Sequence, residues 1–414
     1  MAKSCPGCGA PMEYDPGFDA LVCTSCGNII DPKTLPDADS FYYENPDADN
    51  GPKDIKDTLS EFEEPTGEMY DRHVYKCSQC GGEVLVSGTE ISTRCIYCGS
   101  TSVVFSRISK ENRPDKIVPF SITKEEAIET VKKNILSGAF MPSGFKKIDP
   151  ELVRGIYIPY FTYDGAISDT QQHRFIVSEK TYVFDGSAEF KNLLVECCNA
   201  LDDRSTALLE PYNVTAAVEF DTSYLMGFYS NSQDVTPKQA LGTAQLKAKT
   251  IFNSRMQQLT KNSSTKTVSS NPKLELHRTG YVLLPVWFVT INAKGTPYTF
   301  LVNGQSGRCA GTAPWSKTKV FGTIAAATAV LWTILFTLLA TVEFPHINRI
   351  TDFNVADKLI YSGKLQVSSG ILATVATIIL VIAIRKFLRL LAKLKRTGSV
   401  TTRIFAGRRQ GGVK

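Results

Sequence analysis

The chain has 414 residues, of which 21% are charged and 43% hydrophobic, with a net charge of +5 and a mean hydropathy of −0.09. That length suits two or three folded units. No G-x-x-x-x-G-K-[ST] loop occurs to cradle a nucleotide's phosphates, which excludes a nucleotide-driven motor of that kind.

Residues 1–30 form the first expected unit. They carry Cys5-Pro-Gly-Cys8-Gly9 and Cys23-Thr-Ser-Cys26-Gly27. The second unit, 73–108, repeats the pattern as Cys77-Ser-Gln-Cys80-Gly81 and Cys95-Ile-Tyr-Cys98-Gly99, each cysteine recurring at an offset of 72. This is an internal duplication. Two C-x₂-C pairs supply four thiolates for one tetrahedral Zn²⁺, so two structural zinc sites are expected. Glycine after the second cysteine permits the positive φ that aims backbone N–H groups at sulfur. Tyr14 and Leu21-Val22 in one copy, and Val84-Leu85-Val86 in the other, supply the strands of a ribbon. Redox C-x-x-C pairs normally stand singly at a helix start in a βαβ setting, which is missing here.

Between the ribbons, 31–72 reads as an acidic, flexible linker. Asp31 to Asp71 holds 13 Asp/Glu against 3 Lys, with five prolines.

Residues 115–316 read as an α+β domain with antiparallel sheet and a weak internal repeat. Thr123 is the N-cap of a helix with Glu125 and Glu126 in its first turn, and Ile128, Val131 and Ile135 continue its apolar face. The strand Gly155–Tyr163 follows, with Pro159 inside it. The second half echoes this order: Thr236-Pro237 opens a helix to about Leu259, and Tyr281–Thr290 is a strand containing Pro285. Prolines inside strands point to edges or bulges. A hairpin with turn chemistry at Gly304–Gly307 closes the domain.

Val320–Val342 is 23 residues without a charge, and Leu365–Ile384 is 20 more. Either reaches about 30 Å as a helix, so the pattern predicts a two-helix transmembrane hairpin: helix one at 320–342, an external loop at 343–364 and helix two at 365–384. Arg308, Lys317 and Lys319 precede the first run and a basic tail, 385–414, follows the second, which places both termini in the cytosol. Cysteines on that reducing side favour metal over disulfides. In the tail, Arg385, Lys386, Arg389, Lys393, Lys395 and Arg396 flank an apolar stripe and suit an anionic lipid surface.

The four Cys-x-x-Cys-Gly motifs, Val118-Pro-Phe120 before Thr123-Lys-Glu-Glu-Ala127, Ile156-Tyr-Ile-Pro159, Leu283-Leu-Pro-Val-Trp287 and Leu301-Val-Asn-Gly-Gln-Ser-Gly307 together resemble a YdjG-like bacterial family. Its members are membrane proteins with tandem transcription-factor-IIB-type zinc ribbons, often labelled primosomal protein N′ or superfamily II helicase. The resemblance implies a membrane anchor acting in envelope stress with phage-shock-protein-A-like (PspA-like) or SPFH-type partners.

No catalytic constellation is visible. His73, His173, His277 and His346 stand apart, Cys197-Cys198 suits a packed core position, and the adjacent pairs Asp202-Asp203 and Glu125-Glu126 diverge. The expected function is therefore a non-enzymatic, membrane-anchored zinc-ribbon adaptor that recruits cytosolic partners. The alternative is a membrane-tethered zinc-ribbon protein that binds nucleic acid, which the sparse basic residues of the ribbons disfavour.

Overall fold

The computed structural model describes residues 4–34, 69–79, 81–86, 95–97, 100–137, 140–142, 148–175, 180–198, 201, 203–259, 265–293, 296–311, 316–350 and 385. They divide into two compact units, one drawn from Met1–Ile135 and Lys146–Gly311, the other from Leu136–Phe145 and Thr312–Thr401.

The first unit is mostly sheet. In chain order it contains β1 (Met12–Asp15), β2 (Ala20–Cys23), β3 (Ile29–Ile30), β4 (Met69–Cys77), β5 (Glu83–Val86), β6 (Val103–Asn112), β7 (Lys116–Ile117), α1 (Lys124–Val131), β8 (Val153–Phe175), β9 (Thr181–Glu196) and α2 (Asp203–Ala207). There follow β10 (Val218–Glu219), β11 (Tyr229–Ser230), α3 (Pro237–Leu259), β12 (Thr265–Ser269), β13 (Lys273–Ala293), β14 (Thr296–Asn303) and β15 (Cys309–Ala310). β1, β2 and β3 make a small antiparallel sheet, and the other twelve strands make one large sheet.

The long strands β8 and β13 pair antiparallel at the centre of that sheet, from Val153↔Val289 to Ser168↔Lys273. The sheet is mixed rather than antiparallel, which corrects the expected class. β11 runs parallel to β8 and β7 runs parallel to β13. Pro159 and Pro285 also lie in these two central strands, not at an edge. Each tolerates its missing N–H because it falls where the outer neighbour changes. Beside β8, β11 pairs with Ile156 and Tyr157, and β9 takes over from Tyr160. Beside β13, β7 pairs with Val282 and Leu283, and β14 takes over from Val286. The gap leaves no ladder bond for proline to break.

These pairings repeat across the two halves of the domain. Asp234 N–H and Val235 N–H both donate to Cys197 O, as Ser121 N–H and Ile122 N–H donate to Gly304 O. Both helices then open on a capping box: Thr123 with Glu126, and Thr236 with Gln239.

Alternation along β8 separates two cores. Ile156, Ile158 and Tyr160 share one with Leu284, Val286 and Phe288, while Phe161 and Tyr163 face α3. Ala240, Ala244 and Ala248 form a flat stripe on α3 that lets the helix lie close to the sheet, and Phe252 and Met256 continue it. Gly186 receives Met256; a Cβ there would stand 2.6 Å from Sδ.

The second unit contains α4 (Lys317–Ile350), 34 residues long. The expected transmembrane hairpin and the two-span membrane location are corrected here, because no helix among the described residues is long and apolar enough to cross a membrane. The expectation was drawn from the uncharged run Val320–Val342 taken alone, whereas the helix that contains it runs from Lys317 to Ile350 and takes in Lys319, Glu343, His346 and Arg349. Threonines recur along the run, and the hydroxyls of Thr323, Thr328, Thr333 and Thr337 fold back onto carbonyls one turn earlier. Nor does the helix stop at Val342: it continues through Glu343, Pro345 and Arg349 into the stretch expected as an external loop. The expected second helix, 365–384, lies outside the described residues, as do residues 35–68 of the expected linker.

Candidate metal centre

In the first ribbon the β1–β2 hairpin carries one cysteine knuckle on each side. The Sγ atoms of Cys5, Cys8, Cys23 and Cys26 lie within 4.8 Å of one another. Cys5 and Cys26 approach to 3.6 Å and Cys8 and Cys23 to 3.5 Å, so the sulfurs are paired across the knuckles as well as within them. Cys5 and Cys23 are buried, whereas Cys8 and Cys26 are exposed.

The backbone of each knuckle follows one rule. Cys5 N–H donates to Ala10 O at 2.8 Å, Cys23 N–H to Asn28 O at 2.9 Å, and the glycines Gly9 and Gly27 donate back to Cys5 O and Cys23 O. Gly9 and Gly27 hold φ of +74° and +70°, where glycine alone is unstrained. This turn frees the intervening N–H groups to point at sulfur. Hydrogen bonds from the Gly7 and Cys8 backbone hold the Cys5 thiol below its ordinary value, and those from Cys26 and Ser25 hold Cys23 down to about 6. Cys26 receives the Asn28 N–H, yet the crowding sulfurs of Cys8, Cys23 and Cys5 together push it up to about 12. Four sulfurs at this spacing cannot all ionise without a cation between them, and four thiolates are the donor set for a closed tetrahedral site. The group therefore fits a metal ion.

In the second ribbon, Cys80 and Cys98 lie outside the described residues. Cys77 and Cys95 are both buried, and their backbones repeat the first ribbon's pattern. Cys77 N–H donates to Gly82 O at 2.9 Å, Cys95 N–H to Ser100 O at 2.7 Å, and Gly81, with φ of +69°, donates to Cys77 O.

The two ribbons attach to the domain differently. Ribbon one docks through Tyr14, whose ring meets Tyr224 edge-on at 5.2 Å and whose N–H donates to Met226 O. Its knuckle residues Pro6, Gly7, Thr24 and Ser25 are exposed, and so are Phe18 and Ile29. Ribbon two is woven into the large sheet: β5 pairs with β11, and β4 pairs with β5 and β6. Its second knuckle is buried, because Ile96 and Tyr97 stand between the cysteines where the other three knuckles have small or polar residues. Tyr97 Oη donates to Asn231 Oδ1 at 2.6 Å, and its ring meets Phe288 edge-on. The hydroxyls of Thr290 and Thr299 donate to Ile96 O and Tyr97 O. The apolar Ile-Tyr pair was the sequence signal for this docking.

The same backbone turn recurs without sulfur. Asn303 N–H donates to Arg308 O at 2.7 Å, and Gly307, φ +70°, donates to Asn303 O. Asn303 Oδ1 stands in for the cysteine sulfur and accepts the N–H groups of Gln305 and Ser306. Asn303-Gly-Gln-Ser-Gly307 thus has the form of a knuckle whose first ligand is an amide, fully buried and tied to Leu209 O.

The remaining candidates stay apart. His173 is buried and its Nε2 meets Gln171 Oε1 at 2.8 Å, while His73 packs against Phe105. Cys197 is buried, and burial raises its thiol well above the ordinary value, so it is an inert core residue. Of the basic group expected at a lipid surface, only Arg385 is described; Lys386, Arg389, Lys393, Lys395 and Arg396 lie outside the described residues.

Over 345 residues the chain is 26% identical to a Bacillus subtilis (strain 168) protein named "Uncharacterized protein YdjG", covering 77% of this chain and 92% of that one. No family model matches the chain. No solved structure matches it. The YdjG-like resemblance is thus supported over most of the sequence, and it arrives without an assigned activity.

Proposed function

We propose that this chain is a non-enzymatic zinc-ribbon adaptor that recruits a protein partner, with ribbon one as the recruiting surface. The observation that carries the reading is the contrast between the ribbons. Ribbon two spends its knuckle residues Ile96 and Tyr97 on the domain core, while ribbon one presents both knuckles, Phe18 and Ile29 to solvent. Exposed apolar residues on a rigid, metal-held hairpin are what a partner-binding surface needs.

The metal in this reading is zinc in both ribbons. Cys5, Cys8, Cys23 and Cys26 hold one ion; Cys77, Cys80, Cys95 and Cys98 hold the other. The second site is inferred from the shared backbone pattern at Cys77 and Cys95. Zinc is structural here: a closed Cys₄ set leaves no open position for a substrate or water. Partners of the PspA-like or SPFH kind are the ones the resemblance favours. A phosphate backbone is a poor fit, since ribbon one carries Glu13, Asp15 and Asp19 against Lys3 alone.

Deleting residues 1–34 tests this reading. The partner should be lost from an affinity purification while the remaining domain keeps its melting transition. Full partner yield from the truncated chain would move recruitment to another surface.

A further inference from the structure

β9 is an edge strand. Its 16 residues pair with β8 on one side, and among the described residues no strand takes the other. Such an edge offers the N–H and C=O of every second residue to a strand laid along it, and β9 contains no proline to remove a donor. Asp185, Ser187, Glu189 and Lys191 are exposed on one face of the strand. Phe184, Gly186, Ala188 and Phe190 are half-buried on the other, against α3.

The two ends of this strand differ. At the start, Tyr182 is 48% and Val183 58% exposed. At the far end the ladder with β8 shifts register, Asn192 holds φ of +53°, and Lys247 Nζ takes Leu194 O at 2.8 Å. The free edge therefore stops at Lys191. Just past it opens a groove of about 340 Å³, whose accessible apolar wall is Phe190, Pro211, Val214 and Ile251. Its charged residues are Lys191 and the ion pair of Lys247 with Glu210, at 2.6 Å.

Strand and groove complement each other under a two-fold rotation. An antiparallel pairing of two β9 strands centred on Ala188 sets Asp185 of each copy opposite Lys191 of the other, and Ser187 opposite Glu189. Asp185 Oδ1 accepts the Thr170 hydroxyl at 2.6 Å, which leaves Oδ2 for the lysine. Neither Lys191 nor Glu189 has an ion pair among the described residues. On the α3 face the same register sets Gly186 opposite Phe190, where the ring meets no side chain. Tyr182 and Val183 then run past Lys191 of the second copy and reach its groove. Moving the centre one residue either way sets Asp185 opposite Glu189, or Glu189 opposite itself, so like charges select against both alternatives.

We infer that β9 is the surface through which two copies of this chain join edge to edge, with a two-fold axis at Ala188. The contact is isologous: each copy supplies the exposed Tyr182-Val183 end and the groove that receives it. The inference is independent of the adaptor reading, because β9 pairs with neither ribbon.

Sedimentation equilibrium on the purified full chain measures the dissociation constant of this dimer. Asp185→Lys and Lys191→Asp each place like charges opposite one another and should weaken dimerisation about tenfold. The double variant restores opposite signs and should return the constant to within about threefold of the parent. Both side chains are exposed, and melting temperature confirms that each variant is folded. A parent chain that stays monomeric at about 100 µM overturns the inference. So does a dimer that neither single reversal weakens, since its contact must lie elsewhere. A double variant no tighter than the single ones also overturns it, because Asp185 and Lys191 would not face each other.

Discussion

Pro159 and Pro285 are structural equivalents. Each lies in a central strand at the gap between two outer neighbours, and each offers its carbonyl to the N–H that follows a returning strand: Cys197 N–H to Pro159 O and Gly304 N–H to Pro285 O, both at 2.9 Å. The pair marks the centre of a duplicated unit in which strand, capped helix, long strand and returning strand occur twice. This duplication is separate from that of the ribbons, which has its own offset of 72 residues. One sequence therefore contains two successive repeats, and ribbon two is the place where they join, through β5 on β11.

The amide knuckle at Asn303 yields the first prediction. Its side chain satisfies the N–H groups of Gln305 and Ser306 and the Leu209 carbonyl from a fully buried position. Asn303→Ala leaves these groups unpaired and should lower unfolding stability by about 3 kcal/mol in a urea titration. A change below about 0.5 kcal/mol would mean that the turn holds without its amide.

Gly165 and Gly242 should respond in opposite directions. A Cβ at Gly165 would stand 2.0 Å from Glu275 O, a backbone atom of the neighbouring strand β13 that cannot swing aside. Gly165→Ala should therefore cost about 3 kcal/mol. Gly242 lies in α3 with nothing within 4 Å of its Cβ position, and Gly242→Ala should stabilise by about 0.5–1 kcal/mol through helix propensity. Thermal melts of the two variants with the parent decide the matter; a shift of the same sign in both would contradict the packing described.

Stability should also depend on pH through Glu111. Burial raises its carboxyl above the ordinary value, with the Ser109 hydrogen bond and the Arg72 charge acting against it. A carboxyl raised in the folded state favours folding when protonated, so its contribution is full below its unfolded value and is lost as pH rises through the folded one. Glu111→Gln cannot ionise and should gain stability over the parent between pH 4 and pH 7 (about these limits). Denaturant midpoints at the two ends of that range measure the gain. An unchanged difference would place Glu111 in a solvated setting.

Metal analysis checks the sites themselves. The full chain should carry two zinc ions, Cys5→Ser should remove one, and Cys80→Ser should remove the other. Because β4 and β5 belong to the large sheet, loss at ribbon two should lower the melting point of the whole first unit. Loss at ribbon one should spare it. Equal thermal effects would contradict the difference in docking.

Much of this was legible in the chain because short-range chemistry dictates it. The Cys-x-x-Cys-Gly turns at Cys5, Cys23 and Cys77, the helix starts at Thr123 and Thr236 and the two proline-bearing strands each follow from a few neighbouring residues. What was not legible depends on distant pairing. β11 is only Tyr229 and Ser230, too short to show periodicity, yet it decides that ribbon two is part of the sheet. The prolines misled for the same reason, since the gap that accommodates them is made by other strands. The apolar run after Lys319 misled differently: counting charges set its end at Val342, whereas backbone hydrogen bonding carries the helix to Ile350.

The adaptor reading is tested most directly by quantitative affinity purification of the full chain and of the same chain without residues 1–34, with partner abundance measured per copy of bait. The account predicts a specific partner on the full chain that falls to background on the truncated one, while the truncated chain retains its second zinc ion. Equal partner abundance on both chains would contradict it.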